Sequence, residues 1–154
     1  MPGEPWAPTL SDVGRHVPTR TRAYTGTPGS DTVLGTFTED TTPTAEQAQA
    51  DIDAAVRTIV AEVGEIPTSG LSADMLAAIQ GAARDAAEWR AATDIELAWP
   101  VRDADVAVAA ALNARATTAL EALKVILEKA GSGQVYEFPI WAFPDPPPWA
   151  DTDL

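Results

Sequence analysis

Residues 73–130 read ADMLAAIQGAARDAAEWRAATDIELAWPVRDADVAVAAALNARATTALEALKVILEKA. Alanine and larger apolar residues recur at helical spacing on both sides of Pro100. This spacing predicts two long helices, from about residue 73 to 99 and from about 104 to 130. Because only a few residues around the proline connect them, the two helices are expected to form an antiparallel pair.

Two further helices are predicted upstream of this pair. A short helix over residues 9–17 ends before a proline, which cannot continue it. A longer helix over residues 44–63 begins with Thr44 and Gln47, which form a capping-box pattern, although Thr42 is an alternative start.

The ends of the helices carry residues that suit helix termini. Thr9, Ser72 and Asp103 stand where an N-cap is expected, because their side-chain oxygens can accept from free backbone N–H groups. Gly131 is expected to end the last helix in a left-handed conformation. The cluster that follows, up to Gly133, is interpreted as a hinge.

Together these elements predict an all-α fold, a small helical bundle of one short N-terminal helix and three longer helices over residues 9–131. Residues 1–8 are rich in proline and are expected to be extended. Residues 18–43 form a long Thr/Gly-rich loop, in which the β-prone stretch 32–38 forms either a small hairpin or an extended loop. Residues 132–154 are expected to form an extended C-terminal arm.

The arm is the most unusual part of the chain. Residues 134–154 read QVYEFPIWAFPDPPPWADTDL and hold half of the chain's ten aromatic residues and five of its thirteen prolines. Since proline fixes φ and lacks a backbone N–H, this segment is not expected to form a helix. It needs another surface to lie on, so it either docks on another molecule or wraps its own domain. Its expected contact residues are Tyr136, Phe138, Pro139, Ile140, Trp141, Phe143 and Trp149.

Magnitudes favour a partner for the arm. Ordering about fifteen residues costs roughly 15–30 kcal/mol, and burying five aromatic side chains returns at most about 25 kcal/mol. Because the two quantities are comparable, the arm alone is expected to be mobile or loosely packed on its own bundle. A partner that supplies strand-type hydrogen bonds would order it.

The charge of the chain is strongly acidic. It has 23 acidic and 10 basic residues and a formal net charge of −13, so it is not expected to bind phosphate backbones. An acidic surface can still surround DNA without holding it. Arg20 and Arg22 form a basic patch that is either a set of solvated side chains or a contact with an acidic neighbour. Phe37, in the long loop, is a further candidate contact residue.

The sequence contains no recognisable catalytic or cofactor-binding pattern. The chain has no cysteine and a single histidine, His16, which is expected at the surface or at a cap. No phosphate-binding loop or nucleophile motif occurs. Acidic pairs such as Asp85/Glu88 and Asp94/Glu96 are expected on solvated helix faces. These observations predict a protein that is not an enzyme and has no catalytic residue, metal or cofactor. No apolar run is long enough for a membrane span, and no signal peptide is recognised.

Three stretches carry a resemblance to a known family. They are PWAPTLSDVGRHVPTRTR at the start, GTFTEDTTPTAEQAQADIDAAV from Gly35, and the alanine-rich AARDAAEWRAATDIELAWPVRDADVAVAAALNARATTALEAL, and together they cover most of residues 5–123. In order and texture they resemble the head-to-tail adaptor (connector) proteins of tailed phages that infect actinobacteria. None of the three is a catalytic signature.

The resemblance implies a structural role in the virion neck. Proteins of this family form a ring of typically twelve copies beneath the portal protein, continue the DNA channel, and dock a stopper or tail-terminator protein. It implies assembly in the host cytoplasm, passage of DNA without specific binding, and a C-terminal segment that grips the portal or an adjacent subunit. Residues 25–38 would then face the next neck protein or line the channel, with Arg20, Arg22 and Phe37 as secondary contacts.

An alternative is a small monomeric interaction module that presents its proline- and aromatic-rich tail to one partner. The stretch from Pro144 to Pro148 resembles a proline-rich ligand, although it matches a PxxP pattern only weakly.

Overall fold

Four helices dominate the residues that the computed structural model describes, which are 4–23, 31–99 and 103–133. The protein is mostly helical, as a small helical bundle requires. The elements in chain order are α1 Leu10–Gly14, β1 Arg22–Ala23, β2 Thr32–Val33, α2 Ala45–Val63, α3 Ala73–Ala98 and α4 Asp103–Gly133.

Side-chain caps start the first three helices at the predicted residues. Thr9 caps α1 and Thr44 caps α2, each in a reciprocal capping box with the third helical residue, Asp12 or Gln47. Ser72 accepts from a backbone N–H of the first turn of α3. The backbone and side chain of Thr9 also donate to Asp12, and these hydrogen bonds lower the pKa of that carboxyl. Because the capping box of α2 forms at Thr44, the start predicted there is confirmed, and not the alternative at Thr42.

The helix ends agree with the sequence at one place and differ at another. Gly64 follows α2 with φ +85°, a left-handed conformation that favours glycine. α4, in contrast, continues through Gly131 to Gly133. The prediction that Gly131 ends this helix in a left-handed conformation is therefore wrong, and so is the interpretation of residues 131–133 as a hinge. The arm predicted from residue 132 begins no earlier than residue 134. A glycine costs only about 1 kcal/mol in a helix, which is too little to stop one that is already propagating.

α3 and α4 form the predicted antiparallel pair, and α2 packs against α3. One core cluster joins Ile79 and Ala83 of α3 to Leu123 of α4, whereas a second joins Ile95 of α3 to Leu112 of α4. The start of one helix therefore meets the end of the other. Alanine fills much of the interface, which lets the helix backbones approach closely.

The N-terminal segment completes both clusters. Trp6 is buried in the first cluster, and Val13 and Val17 are buried in the second. β1 and β2 pair antiparallel beside them, with Arg22 opposite Val33. Gly14 is buried where this small sheet meets α1. An added Cβ there would lie 2.7 Å from the carbonyl oxygen of Gly35.

Candidate functional site

The residues predicted to make the arm's contacts lie outside the described residues. They are Tyr136, Phe138, Pro139, Ile140, Trp141, Phe143 and Trp149. Their role in binding a portal or a neighbouring copy therefore stays a prediction.

The three secondary contact residues lie in different environments. Arg22 is exposed, as a contact residue must be. Arg20 is buried, with its side chain 7% exposed, and Phe37 is buried in the second core cluster with Val13 and Ile52. Arg20 and Phe37 therefore belong to the interior of this chain, and of the three only Arg22 lies at the surface.

Arg20 forms a buried ion pair with Glu96 of α3. Its Nη2 and Nε donate to Oε2 of Glu96 over 2.6 and 3.1 Å. The Glu96 side chain is only 3% exposed. Glu96 was expected on a solvated face, and the structure corrects this. A carboxylate is stable in such a place only if a cation and hydrogen bonds replace its water.

Glu88, two helical turns earlier on α3, holds a second pair of basic residues. Arg15 donates from Nη2 to Oε2 of Glu88 over 2.6 Å, and Nε2 of His16 lies 3.0 Å from the same oxygen. The hydrogen bond that Arg15 donates to Glu88, together with the negative charge of that carboxylate, raises the pKa of the Arg15 guanidinium. Glu88 is buried, contrary to the expectation of a solvated side chain.

Trp89 lies between two basic side chains. The His16 ring is 3.8 Å from the Trp89 ring, measured between centroids, and the planes are tilted by 39°. The Arg115 guanidinium of α4 lies 4.9 Å from the centroid of the Trp89 ring, at cation–π distance. His16, expected at the surface or at a cap, is thus held by Trp89 and Glu88, with its side chain only 14% exposed.

A further acidic pair is repulsive. The pKa of Asp51 on α2 is raised, first because burial removes water from this carboxyl and second because the charge of Asp94 on α3 lies nearby. Asp94 also accepts from Arg90 in an exposed pair one helical turn away. Such an arrangement costs stability at neutral pH, where the carboxyl is charged.

A shallow groove runs along the outside of the α3–α4 hairpin, and we call it the outer groove. Its volume is about 390 Å³. The helix α3 contributes one wall, and the small side chains of α4 form the rest. Its lining residues are Asp85, Trp89, Ala114, Arg115, Thr118, Ala119 and Ala122.

Beyond the outer groove, the turn-proximal end of the hairpin exposes large apolar side chains, and we call it the apolar tip. Leu97 is 58% exposed, Val106 61% and Val108 47%. Residues 106–114 of α4 contain no charged side chain, although the chain as a whole is 21% charged. Because Val106 and Val108 are two positions apart, they lie on different sides of α4, so the apolar tip is a set of exposed side chains around the end of the hairpin and not one continuous patch.

Two kinds of site are not found within the described ranges. No group of three or more His, Asp or Glu side chains is arranged to hold a metal ion in residues 4–23, 31–99 and 103–133. In the same part of the chain, no helix is both long enough and apolar enough to cross a membrane.

Periodicity missed the ionic contacts for a physical reason. Glu88 and Glu96 stand among alanines, and alanine occupies both buried and exposed helix faces, so it does not reveal which face is covered. The sequence nevertheless contains one signal that indicates these ionic contacts. The acids are eight residues apart on one helix face, and the bases Arg15 and Arg20 flank a proline in the N-terminal segment.

Comparison with known proteins gives no assignment: no protein-family model matches the chain, and neither a curated protein nor a solved structure matches it.

Proposed function

We propose that the protein is a structural component of a phage neck, a head-to-tail adaptor that forms a ring beneath the portal. In this role it extends the DNA channel and docks the next neck component, a stopper or tail-terminator protein. The proposal rests on the resemblance of the three sequence stretches quoted above and on the surface of the described helices. It places the protein in the virion neck after assembly in the host cytoplasm, with no chemistry of its own.

The observation that carries the proposal is the apolar tip. Leu97, Val106 and Val108 are exposed around this end of the hairpin on a chain with net charge −13. Subunits in a ring need a surface that overcomes their mutual charge repulsion, and an uncharged apolar surface does this. The small residues between positions 106 and 114 permit close helix packing at such a contact.

The distribution of charge supports passage of DNA without binding. Arg20 is buried against Glu96 and so is not available to neutralise a phosphate, and the exposed Arg15 is already paired with Glu88. The remaining surface is dominated by carboxylates, which repel a phosphate backbone at short range.

The arm is the proposed attachment to the portal. Residues 135–149 combine aromatic and proline residues in a segment that is suited to lie extended in a groove of another protein. The aromatic side chains of the arm would bury apolar surface against the portal, and the backbone of the arm would form strand-type hydrogen bonds with it.

Imaging of the assembled ring tests this proposal. The full chain is mixed with the portal protein encoded nearby in the same genome and viewed by negative-stain electron microscopy. We expect added ring density on the portal, which is lost when residues 134–154 are deleted. A shorter deletion, of residues 150–154, removes no aromatic residue and serves as the matched control.

The outcomes separate the two functions considered for this chain. Far-ultraviolet circular dichroism must first show that both shortened chains keep their helices. Density that persists without the arm contradicts its role in attachment. No added density with any form contradicts the adaptor function and leaves a monomeric, single-partner module.

A further inference from the structure

The outer groove suggests what the arm does before any partner is met. We propose that in the free protein the C-terminal arm lies in the outer groove of its own chain, with its aromatic segment against α4. The inference concerns the protein alone and does not depend on the portal proposal. It assigns an occupant, the segment from Tyr136 to Phe143, to a surface that the bundle leaves uncovered.

The side chains of the groove suit an aromatic occupant. Ala114, Thr118 and Ala122 follow one another along the outer side of α4 and leave room for planar rings above the helix. Trp89 also lines this groove, with His16 and Arg115 already packed against its ring. An aromatic side chain of the arm would therefore meet the edge of this ring, and edge-to-face contacts between aromatic rings are favourable.

The arm has the right origin and length. α4 ends at Gly133, and Thr118 lies fifteen residues earlier, which is about 22 Å along the axis at 1.5 Å per residue. An extended segment rises about 3.3 Å per residue, so the eight residues from position 134 to Trp141 span about 26 Å. A chain that turns back after Gly133 therefore brings Trp141 level with Thr118, in the middle of the groove.

Charge also favours this occupant. The arm carries four acidic residues and no basic one; the acids are Glu137, Asp145, Asp151 and Asp153. Arg115 is exposed at the groove, where it contacts the face of Trp89 and forms no ion pair within the part of the chain that the structure describes. A carboxylate from the arm would complement this guanidinium.

Tethering favours the chain's own arm over that of a second copy. A segment joined to its site through a few residues of the same chain is present there at an effective concentration in the millimolar range. A second copy at micromolar concentration competes poorly with it, and the net charge of −13 opposes its approach. The burial gain and the ordering cost of the arm are of similar size, so the contact is weak enough to be given up when a better partner binds.

Disulfide trapping in the full chain tests the placement. The protein has no cysteine, so Thr118→Cys combined with Ala142→Cys introduces the only two thiols. With oxidised glutathione at micromolar protein concentration, we expect an intramolecular disulfide that runs as a monomer on a non-reducing gel. The matched control combines Ala61→Cys with Ala142→Cys. Ala61 is an exposed residue of α2, and its neighbour Glu62 lies 3.8 Å from Lys124 of α4, so it stands at a similar height on the bundle.

The trapping rates decide the question. We expect the pair in the outer groove to cross-link about tenfold faster than the control pair, which corresponds to about 1.4 kcal/mol of preference. Equal rates for the two pairs, or no cross-link at Thr118→Cys, would overturn the placement. Disulfide-linked dimers in place of monomers would also overturn it, and would assign the groove to the arm of a second copy.

A second measurement needs no cysteine. Chymotrypsin cleaves after Trp141 only when the arm leaves the groove. We expect cleavage to become about fivefold faster or more in Ala114→Glu, since a charged side chain then occupies the groove. The variant Ala50→Glu, at an exposed site on α2, should cleave at the wild-type rate. Identical rates in all three proteins would contradict the proposal.

Discussion

Replacing Arg20 by methionine should destabilise the protein more than any other change of a single cation in its N-terminal segment. The Glu96 side chain is 3% exposed and accepts two N–H groups from Arg20, at 2.6 and 3.1 Å. The variant Arg20→Met keeps much of the apolar stem but removes both donors. It therefore leaves a carboxylate buried without these hydrogen bonds.

The expected magnitude follows from the burial of both partners. Removing one member of a buried ion pair costs about 3–5 kcal/mol. A domain of this size has a free energy of unfolding of roughly 5–15 kcal/mol, so the change removes about a fifth of it or more. At about 2–4 °C per kcal/mol, the Tm should fall by roughly 6–20 °C.

Urea unfolding followed by circular dichroism at 222 nm measures this loss. The double variant Arg20→Met/Glu96→Leu should recover most of the stability, because replacing a whole buried pair by apolar residues is often neutral. Arg22→Met is the matched control. Arg22 is exposed and stands two residues away, so its replacement should change the free energy of unfolding by less than about 0.5 kcal/mol.

The double variant also separates loss of the ion pair from loss of packing, because it removes the buried charge together with its partner. A loss below about 1 kcal/mol, or a double variant no more stable than Arg20→Met, would refute a buried, stabilising contact.

Three further predictions use the same unfolding assay. Gly14→Ala should lower the free energy of unfolding by about 1–3 kcal/mol, because its Cβ would meet a backbone carbonyl at 2.7 Å. Gly81→Ala, on the exposed side of α3, should raise it by about 0.5–1 kcal/mol. Equal effects of the two substitutions would contradict the close contact at Gly14. Asp51→Asn should raise stability at pH 7 by less than about 1 kcal/mol, since burial and Asp94 raise the pKa of this half-exposed carboxyl. This advantage should disappear as the pH falls through the raised pKa, and an advantage independent of pH would argue against a charge effect. Trp6→Ala should lower the free energy of unfolding by about 3–5 kcal/mol. Trp6→Phe should lower it by less than about 1.5 kcal/mol, because the indole N–H has no partner among the described residues and phenylalanine removes this unsatisfied donor. A large loss in Trp6→Phe would indicate that the indole N–H makes a hydrogen bond elsewhere.

Much of the helical fold could be predicted because the relevant signals are local. The caps at Thr9, Thr44 and Ser72 involve residues three positions apart, and each occurs at the predicted place. The antiparallel pairing of α3 and α4 followed from the short connection at Pro100. The end of α4 was missed because Gly131 was interpreted from its residue type alone, and a glycine late in a long helix does not have to stop it.

The ionic contacts could not be predicted because they join distant parts of the chain. Glu88 meets Arg15 across 73 residues and Glu96 meets Arg20 across 76. Local spacing shows that these acids share a helix face, but only the packed bundle shows that the N-terminal segment covers that face. For the same reason, a basic patch that looked solvated proved to be partly interior at Arg20.

These long-range ion pairs have a consequence for synthesis of the protein on the ribosome. Arg20 is translated 76 residues before Glu96, and at about 5–20 residues per second this interval lasts roughly 4–15 s. During that time the N-terminal segment exists without α3, whose Glu88 and Glu96 pair with Arg15 and Arg20 in the folded protein. These arginines are then able to contact the phosphates of ribosomal RNA. Folding of this protein therefore proceeds against the direction of translation: the segment made first is the one fixed in place only after α3 has left the exit tunnel.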